Sequence, residues 1–279
     1  MRVHQVQQVQ VTASPRVVDS DAAISVASLS KRFPNGTLAL DSVTFDVPNG
    51  QVLALIGLSG SGKSTLLRIL NGLHAPTGGN VRVLGVDVGS ARGRELRELR
   101  RNIGFVFQQF GLVGRSTCLE NVLNGALGRL RGPRMGVRSY PSELRRDALA
   151  HLDRVGLGTV AFQRADTLSG GQMQRVAIAR SLMQHPSILL ADEPVASLDP
   201  ESSTQVLELI GKIAREDGRT VVCTLHQVEL AMGWADRIVG LESGRVVLDA
   251  AASGLTIEKV MSVYRRASLQ AEPLPLLSV

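Results

Sequence analysis

The sequence lacks any apolar run approaching the roughly 18 residues needed to cross a bilayer, so it predicts no membrane-spanning helix. Its first twenty residues, MRVHQVQQVQVTASPRVVDS, carry glutamines where a secretory signal would have an apolar stretch. The expectation is a protein kept in the cytoplasm and held at any membrane by a partner. Cysteine is scarce. Cys118 and Cys223 lie far apart without metal-ligand spacing. Cys223 sits in the apolar run TVVCTL, which predicts a small buried thiol. Aromatics make up only 3% of the chain, so Phe33, beside the turn residues Pro34, Asn35 and Gly36, stands out. Internal repeats and low-complexity tracts are also missing.

What is present fits a globular protein: 279 residues, 44% hydrophobic and 20% charged, enough for one large domain or two modest ones. The net charge of +6 is almost entirely arginine, clustered in ARGRELRELRR and RLRGPRMGVRS. Such runs bring nucleic acid or lipid headgroups into consideration. The first run, however, interleaves two glutamates and spaces Leu96 and Leu99 three apart. That spacing favours a solvated helix face or a protein-docking surface.

Residues 1–23 read as a loose polar tail. From Ile24, AISVASLSKRF and LALDSVTFDV read as antiparallel strands with tight turns at Pro34-Asn35-Gly36 and Pro48-Asn49-Gly50. QVLALIG follows as a strand buried on both faces. A helix is expected from Lys63 to about Gly72. Further apolar strands at 102–107, 187–192 and 220–225, each followed by a turn and a helical pattern, predict a mainly parallel α/β sheet. Between Phe110 and Arg180 helical patterns dominate, which marks an inserted helical subdomain. After Asp249, IEKVMSVYRRA reads as a helix and EPLPLLSV as a frayed end.

GLSGSGKST, comprising Gly57, Leu58, Ser59, Gly60, Ser61, Gly62, Lys63, Ser64 and Thr65, matches G-x-x-x-x-G-K-S/T between a buried strand and a helix. Glycines let the backbone N–H groups wrap phosphates. Lys63 is placed for the β- and γ-phosphates, and Ser64 for Mg²⁺. In ILLADEP, Asp192 ends a buried strand beside this loop and is placed to hold Mg²⁺. Glu193 points elsewhere and suits a general base acting on water. Gln108 and His226 end the strands IGFVF and TVVCTL and project at the same sheet edge. His226 is placed to donate to the γ-phosphate, and Gln108 to bond Mg²⁺ or the lytic water. Phe33 is read as stacking on adenine, with an ordinary core phenylalanine as the competing reading. LSGGQ puts Ser169, Gly170, Gly171 and Gln172 at the head of a helix, a second anion site that lacks a lysine.

GLSGSGKST, Gln108, LSGGQ, LLADEP, SLD and His226, in this order, resemble the ATP-binding subunits of ABC transporters over roughly Ile24 to Asp249. The resemblance implies a P-loop NTPase with a RecA-like α/β core, an antiparallel β subdomain and an inserted helical subdomain at about 110–180. It divides the chain into a tail (1–23), an ATP-binding domain (24–250) and a C-terminal helix and tail (251–279). It also implies ATP and Mg²⁺ as cofactors and a sandwich of two copies, in which LSGGQ closes over the partner's γ-phosphate. The lysine is then supplied across the interface. Asp199, in SLD, belongs to the loop crossing between subunits.

More finely, VFQQFGLVGRSTCLENVLNGALGR, QRADTLSGGQ, ADEPVASLDP and Gln227 after the histidine resemble the phosphonate-importer subfamily. Phe33 for tyrosine, Met173 for glutamine and Cys118 for valine depart from its pattern without removing a catalytic atom. The implied protein hydrolyses ATP on the cytoplasmic face of a bacterial inner membrane. It docks on a permease fed by an external binding protein. Phosphite or another small oxyanion is the alternative cargo. A soluble ATPase acting on nucleic acid or ribosomes is disfavoured, because the chain has neither a long coiled-coil insert nor a second cassette, and no nucleic-acid partner is expected.

Overall fold

The computed structural model describes residues 22–130 and 136–261. The expected N-terminal tail lies almost wholly outside them. Of the expected C-terminal helix only 257–261 falls within them, and those residues are helical. No helix among the described residues is long and apolar enough to cross a membrane.

Two sheets organise the chain. One is antiparallel: β1 (Ile24–Arg32), β2 (Leu38–Val47), β4 (Gly78–Val83) and β5 (Val86–Asp87), in the order β2-β1-β4-β5. The other takes β3 (Val52–Ile56), β6 (Ile103–Val106), β7 (Ile188–Ala191), β8 (Thr220–Leu225), β9 (Arg237–Glu242) and β10 (Arg245–Ala251) in the order β10-β9-β3-β8-β7-β6. Its strands run parallel except for β10, which folds back on β9. Helices α1 (Lys63–Leu70), α2 (Gly93–Arg101), α3 (Cys118–Leu123), α4 (Ser142–Arg154), α5 (Gly170–Leu182), α6 (Pro200–Asp217) and α7 (Val228–Trp234) complete the architecture.

All five residues of β3 are buried, and the period of two divides them. Val52, Ala54 and Ile56 join a core shared with α3 to α7, while Leu53 and Leu55 join a second core shared with α1 and the antiparallel sheet. β8 divides likewise, with Val221, Cys223 and Leu225 on one side and Val222 on the other. Each such aliphatic side chain contributes about 1.5–3 kcal/mol by leaving water. Cys223 is the buried thiol expected, and burial pushes its pKa up. The arginine-rich α2 buries only Leu99 of its nine residues, as a solvated helix face does. Arg100 is put to use, since its guanidinium donates to the carbonyls of Asn71 and Gly72 just past α1.

Helix ends follow local chemistry. Thr117 and Glu120 form a capping box at α3. α6 starts at the cap Asp199 followed by Pro200 and stops at Gly218, which takes a left-handed conformation. Between Phe110 and Arg180 the described residues form helices and turns with no named strand, as the sequence predicts, whereas β4, β5 and the β9–β10 hairpin depart from the expected strand set.

Arg237 ties the β9–β10 hairpin to the antiparallel sheet, beside the exposed Arg245–Asp41 ion pair between β10 and β2. Arg237 on β9 donates two hydrogen bonds of 2.6 Å to the carboxylate of Asp249 on β10 and one of 2.8 Å to the carbonyl of Asp46 on β2. Arg237 is buried, and Asp249 is about one-quarter exposed. Truncating such a residue strands its acceptors. Arg237→Ala is expected to lower the unfolding free energy by about 3 kcal/mol, with Arg237→Lys recovering only part because it lacks the planar fork. Denaturant unfolding monitored by circular dichroism checks this.

Candidate functional site

The phosphate-loop sequence turns sharply between the carboxyl end of β3 and α1. Gly57, Gly60 and Gly62 all have positive φ, of 156°, 80° and 103°. Gly57 and Gly62 are also crowded. A Cβ on Gly57 would meet the carbonyl of Leu241 at 2.3 Å, and one on Gly62 the carbonyl of Ala39 at 2.5 Å. Leu58, Ser59 and Gly60 form the exposed crest of the loop, Ser61 is buried beneath it, and Thr65 is half-buried in the first turn of α1. The N–H groups at the head of α1 lack intrahelical partners, and with the positive end of the helix they suit phosphate oxygens. Lys63 is buried and curls back so that its ammonium donates to the carbonyls of Gly57 (2.8 Å) and Leu58 (3.0 Å). Burial pulls its pKa below the usual lysine range, opposed by the charges of Glu193 and Asp192.

Asp192, just past β7, is 5% exposed. Its Oδ1 accepts from the Ser64 hydroxyl at 2.9 Å and from the Thr224 hydroxyl at 3.1 Å. The next residue faces away, as its place in the chain suggests. Glu193 has a left-handed backbone, φ 49°, and its N–H donates to Thr224 Oγ1 at 2.7 Å. A non-glycine residue held there is strained. The turn delivers the Glu193 carboxylate to His226, whose Nε2 lies 2.6 Å from Oε1. Glu193 is largely enclosed and His226 is 40% exposed, so the pair opens to solvent through the histidine. A cleft of about 140 Å³ adjoins them, lined in part by Val195, Leu198 and Leu230.

Gln108 lies two residues past β6, on the exposed side of the same sheet edge. Its strand is the direct neighbour of β7, and the N–H of Asp192 donates to the carbonyl of Val106. Phe33 is half-buried in the β1–β2 turn. Its ring meets that of His74 edge-on at 5.7 Å, with the Lys31 ammonium 5.2 Å from its centroid. It belongs to neither buried core, which removes the core-phenylalanine reading.

The structure thus joins Ser64, Asp192, Thr224, Glu193 and His226 into one network, with the Lys63 ammonium held on the phosphate-loop carbonyls within the field of both acids. The LSGGQ residues form a separate cluster. Ser169 caps α5 and accepts from the N–H of Gln172, while the Gln172 side chain accepts from the N–H of Ser169. Asp199 caps the neighbouring α6, accepting from the N–H of Ser202, and the Ser202 hydroxyl together with that N–H holds its carboxyl below the usual range. The two helix heads abut: a Cβ on Gly170 would meet Leu198 at 3.1 Å, and one on Gly171 would meet Ser202 at 3.2 Å.

Two supports escaped the sequence reading. Thr224 has no motif around it, because its role comes from the place of β8 between β3 and β7 in the sheet. The β9–β10 turn backs the phosphate loop, with Gly244 N–H donating to the Ser61 carbonyl and Gly244 accepting from Asp41 N–H. The Ser243-Gly244 dipeptide between two apolar runs was a usable signal for that turn. Thr224 is fully buried, so Thr224→Val leaves the N–H of Glu193 and one acceptor site of Asp192 unpaired. The expected loss is about 1–3 kcal/mol of unfolding free energy, with Thr224→Ser close to wild type, as measured by denaturant titration.

A family model described as ABC transporter matches residues 40–196. The chain is 62% identical over 251 residues to the phosphonates import ATP-binding protein PhnC of Frankia casuarinae, covering 90% of this chain and 99% of that one. It is 59% identical over 257 residues to the phosphate-import ATP-binding protein PhnC of Mycolicibacterium smegmatis, covering 92% and 97%. Among solved structures it resembles the dimeric, ADP- and Pi-bound post-hydrolysis state of the ATP-binding cassette MJ0796, with TM-score 0.72 and 36% identity over 83% of this chain and all of that one. It also resembles cbiO1 from Clostridium perfringens, with TM-score 0.75 and 28% identity over 90% and 96%. The chain belongs to the ABC transporter family, as an ATP-binding, ATP-hydrolysing subunit built on the P-loop NTPase fold.

Proposed function

We propose that the chain energises uptake of phosphonates through a bacterial ABC importer. The observation that carries this reading is the 62% identity, across 90% of the chain, to a relative named for phosphonate import. The subunit docks peripherally on the cytoplasmic face of a permease, near Gln108 and the helices between 110 and 180, while an external binding protein delivers cargo. A second reading, phosphate as cargo, is favoured by the relative named for phosphate import at 59% identity.

The backbone N–H groups from Gly57 to Thr65 and the ammonium of Lys63 bind the β- and γ-phosphates, and Phe33 stacks on the base. Ser64 and Asp192 offer Mg²⁺ the hard oxygen donors it prefers, and their existing 2.9 Å hydrogen bond puts both oxygens at one place, with Gln108 at the same sheet edge. When bound, that ion neutralises charge on the β- and γ-phosphate oxygens. Glu193 accepts the proton of the attacking water, and His226 orients its carboxylate and donates to the γ-phosphate. A second copy completes the site. Its Ser169, with the N–H groups of Gly170, Gly171 and Gln172 and the positive end of α5, closes over the γ-phosphate. Asp199 aligns the crossing.

Glu193→Gln keeps the shape and loses the base. It is expected to bind ATP within about twofold of wild type, to turn over about 10²–10⁴-fold more slowly, and to persist as an ATP-loaded dimer in sedimentation. Wild-type turnover would remove Glu193 from the assigned role. Cargo is separable by uptake. In a strain without redundant transporters, deleting this gene is expected to abolish uptake of a labelled alkylphosphonate and spare labelled phosphate. The reverse pattern would establish the second reading instead.

A further inference from the structure

Away from the nucleotide site, α4 and the end of α5 bring together a carboxylate and two imidazoles that the ATPase mechanism does not use. Asp147 and His151 stand four apart on α4 and share one face. His185 lies three residues past the end of α5, with a left-handed backbone of φ 49° and its N–H donating to the Leu182 carbonyl. His185 Nε2 lies 3.1 Å from Asp147 Oδ2, and His151 Nε2 lies 3.5 Å from Asp147 Oδ1. The ligand atoms of all three residues fall within 4.8 Å of one another.

His151 is the informative member. It is 8% exposed, and its Nε2 is buried without a hydrogen-bond partner, because the approach to Asp147 misses hydrogen-bond geometry. A buried imidazole nitrogen facing a carboxylate and a second imidazole without a proton to share is poorly satisfied by the protein alone. It is well satisfied by a metal ion. Burial also lowers the pKa of His151, which suits the neutral form that ligates. His185 is exposed and Asp147 half-buried, so the cluster has an entrance.

Cations surround the cluster. Arg154 is engaged by Asp217 and Glu216, and Arg219 by Asp217 and the Pro186 carbonyl. Arg129 remains as a competitor for Asp147.

We propose that Asp147, His151 and His185 form a Zn²⁺ site that clamps α4 to the connection between α5 and β7. Two imidazoles and one carboxylate are the donor set Zn²⁺ takes when it keeps a fourth position for water. Tetrahedral ligands at about 2.1 Å from the metal stand roughly 3.4 Å apart, and the two imidazole nitrogens stand 3.1 and 3.5 Å from the two different oxygens of Asp147. The clamp would fasten the helical part of the chain to the start of the strand whose far end carries Asp192.

The test uses the full-length chain, stripped with chelator and titrated with Zn²⁺ by calorimetry in the absence of nucleotide. One equivalent is expected to bind and to raise the thermal midpoint. His185→Gln, an exposed change that leaves the fold intact, and Asp147→Asn are each expected to weaken binding at least about tenfold. Both are expected to leave ATP affinity unchanged. Failure of the wild-type chain to take up one equivalent at micromolar Zn²⁺ would overturn the proposal and leave an ordinary His–Asp ion pair. Equal uptake by wild type and both variants would overturn it too, by placing the metal elsewhere.

Discussion

The carboxylate of Asp192 holds the nucleotide site together. Through one oxygen it accepts from Ser64 at the head of α1 and from Thr224 inside β8. Three segments remote in sequence are thereby fixed at one point: the phosphate loop, the end of β7 and the end of β8. The same Thr224 hydroxyl receives the Glu193 N–H, so the backbone strain at Glu193 is borne by a bond that also orders Asp192. In the low-dielectric setting of a buried network such bonds reinforce one another. Two adjacent acidic residues accordingly face different directions, one toward the phosphate loop and one toward His226.

This arrangement depends on β3 being buried on both faces. A strand with one wet face would leave the loop on a flexible edge. Here one core packs against α1 and the antiparallel sheet while the other packs against the helices that follow α2. The loop is also braced from outside the motif, by the Leu241 and Ala39 carbonyls against its glycines and by Gly244 beneath Ser61. Glycine at 57 and 62 therefore answers to the surrounding protein as much as to phosphate.

Much of this was legible in the sequence. The apolar strands at 102–107, 187–192 and 220–225 appear within a residue or two, and α1 starts at Lys63 as expected. Asp192, Glu193 and His226 converge because strands ending at one sheet edge leave few other places for their side chains. The missed elements differ in cause. β4 and β5, GGNVRV and VD, are short and mostly polar or glycine, so neither period nor composition separates them from loops. β9 and β10 are apolar runs whose turn, at Ser243-Gly244, was legible. Thr224 and Arg237 act through partners far away in sequence, which no local pattern records. The His151–His185 approach is of the same kind, since two histidines in unrelated helical contexts say nothing of each other until α4 and α5 pack.

Strand order also bears on how the chain is made. β3 leaves the ribosome early, but its two sheet neighbours are β8 and β9, near the other end. β1, β2 and β4 pair among themselves and can assemble during synthesis. The phosphate loop cannot gain its flanking strands, its Asp192 contact or the Gly244 brace until nearly all the described chain has emerged. Long-range parallel pairing of this sort is slow to form. During elongation the nascent chain therefore carries its most apolar strand uncovered, and the glycine-rich loop acquires a fixed shape only as translation ends.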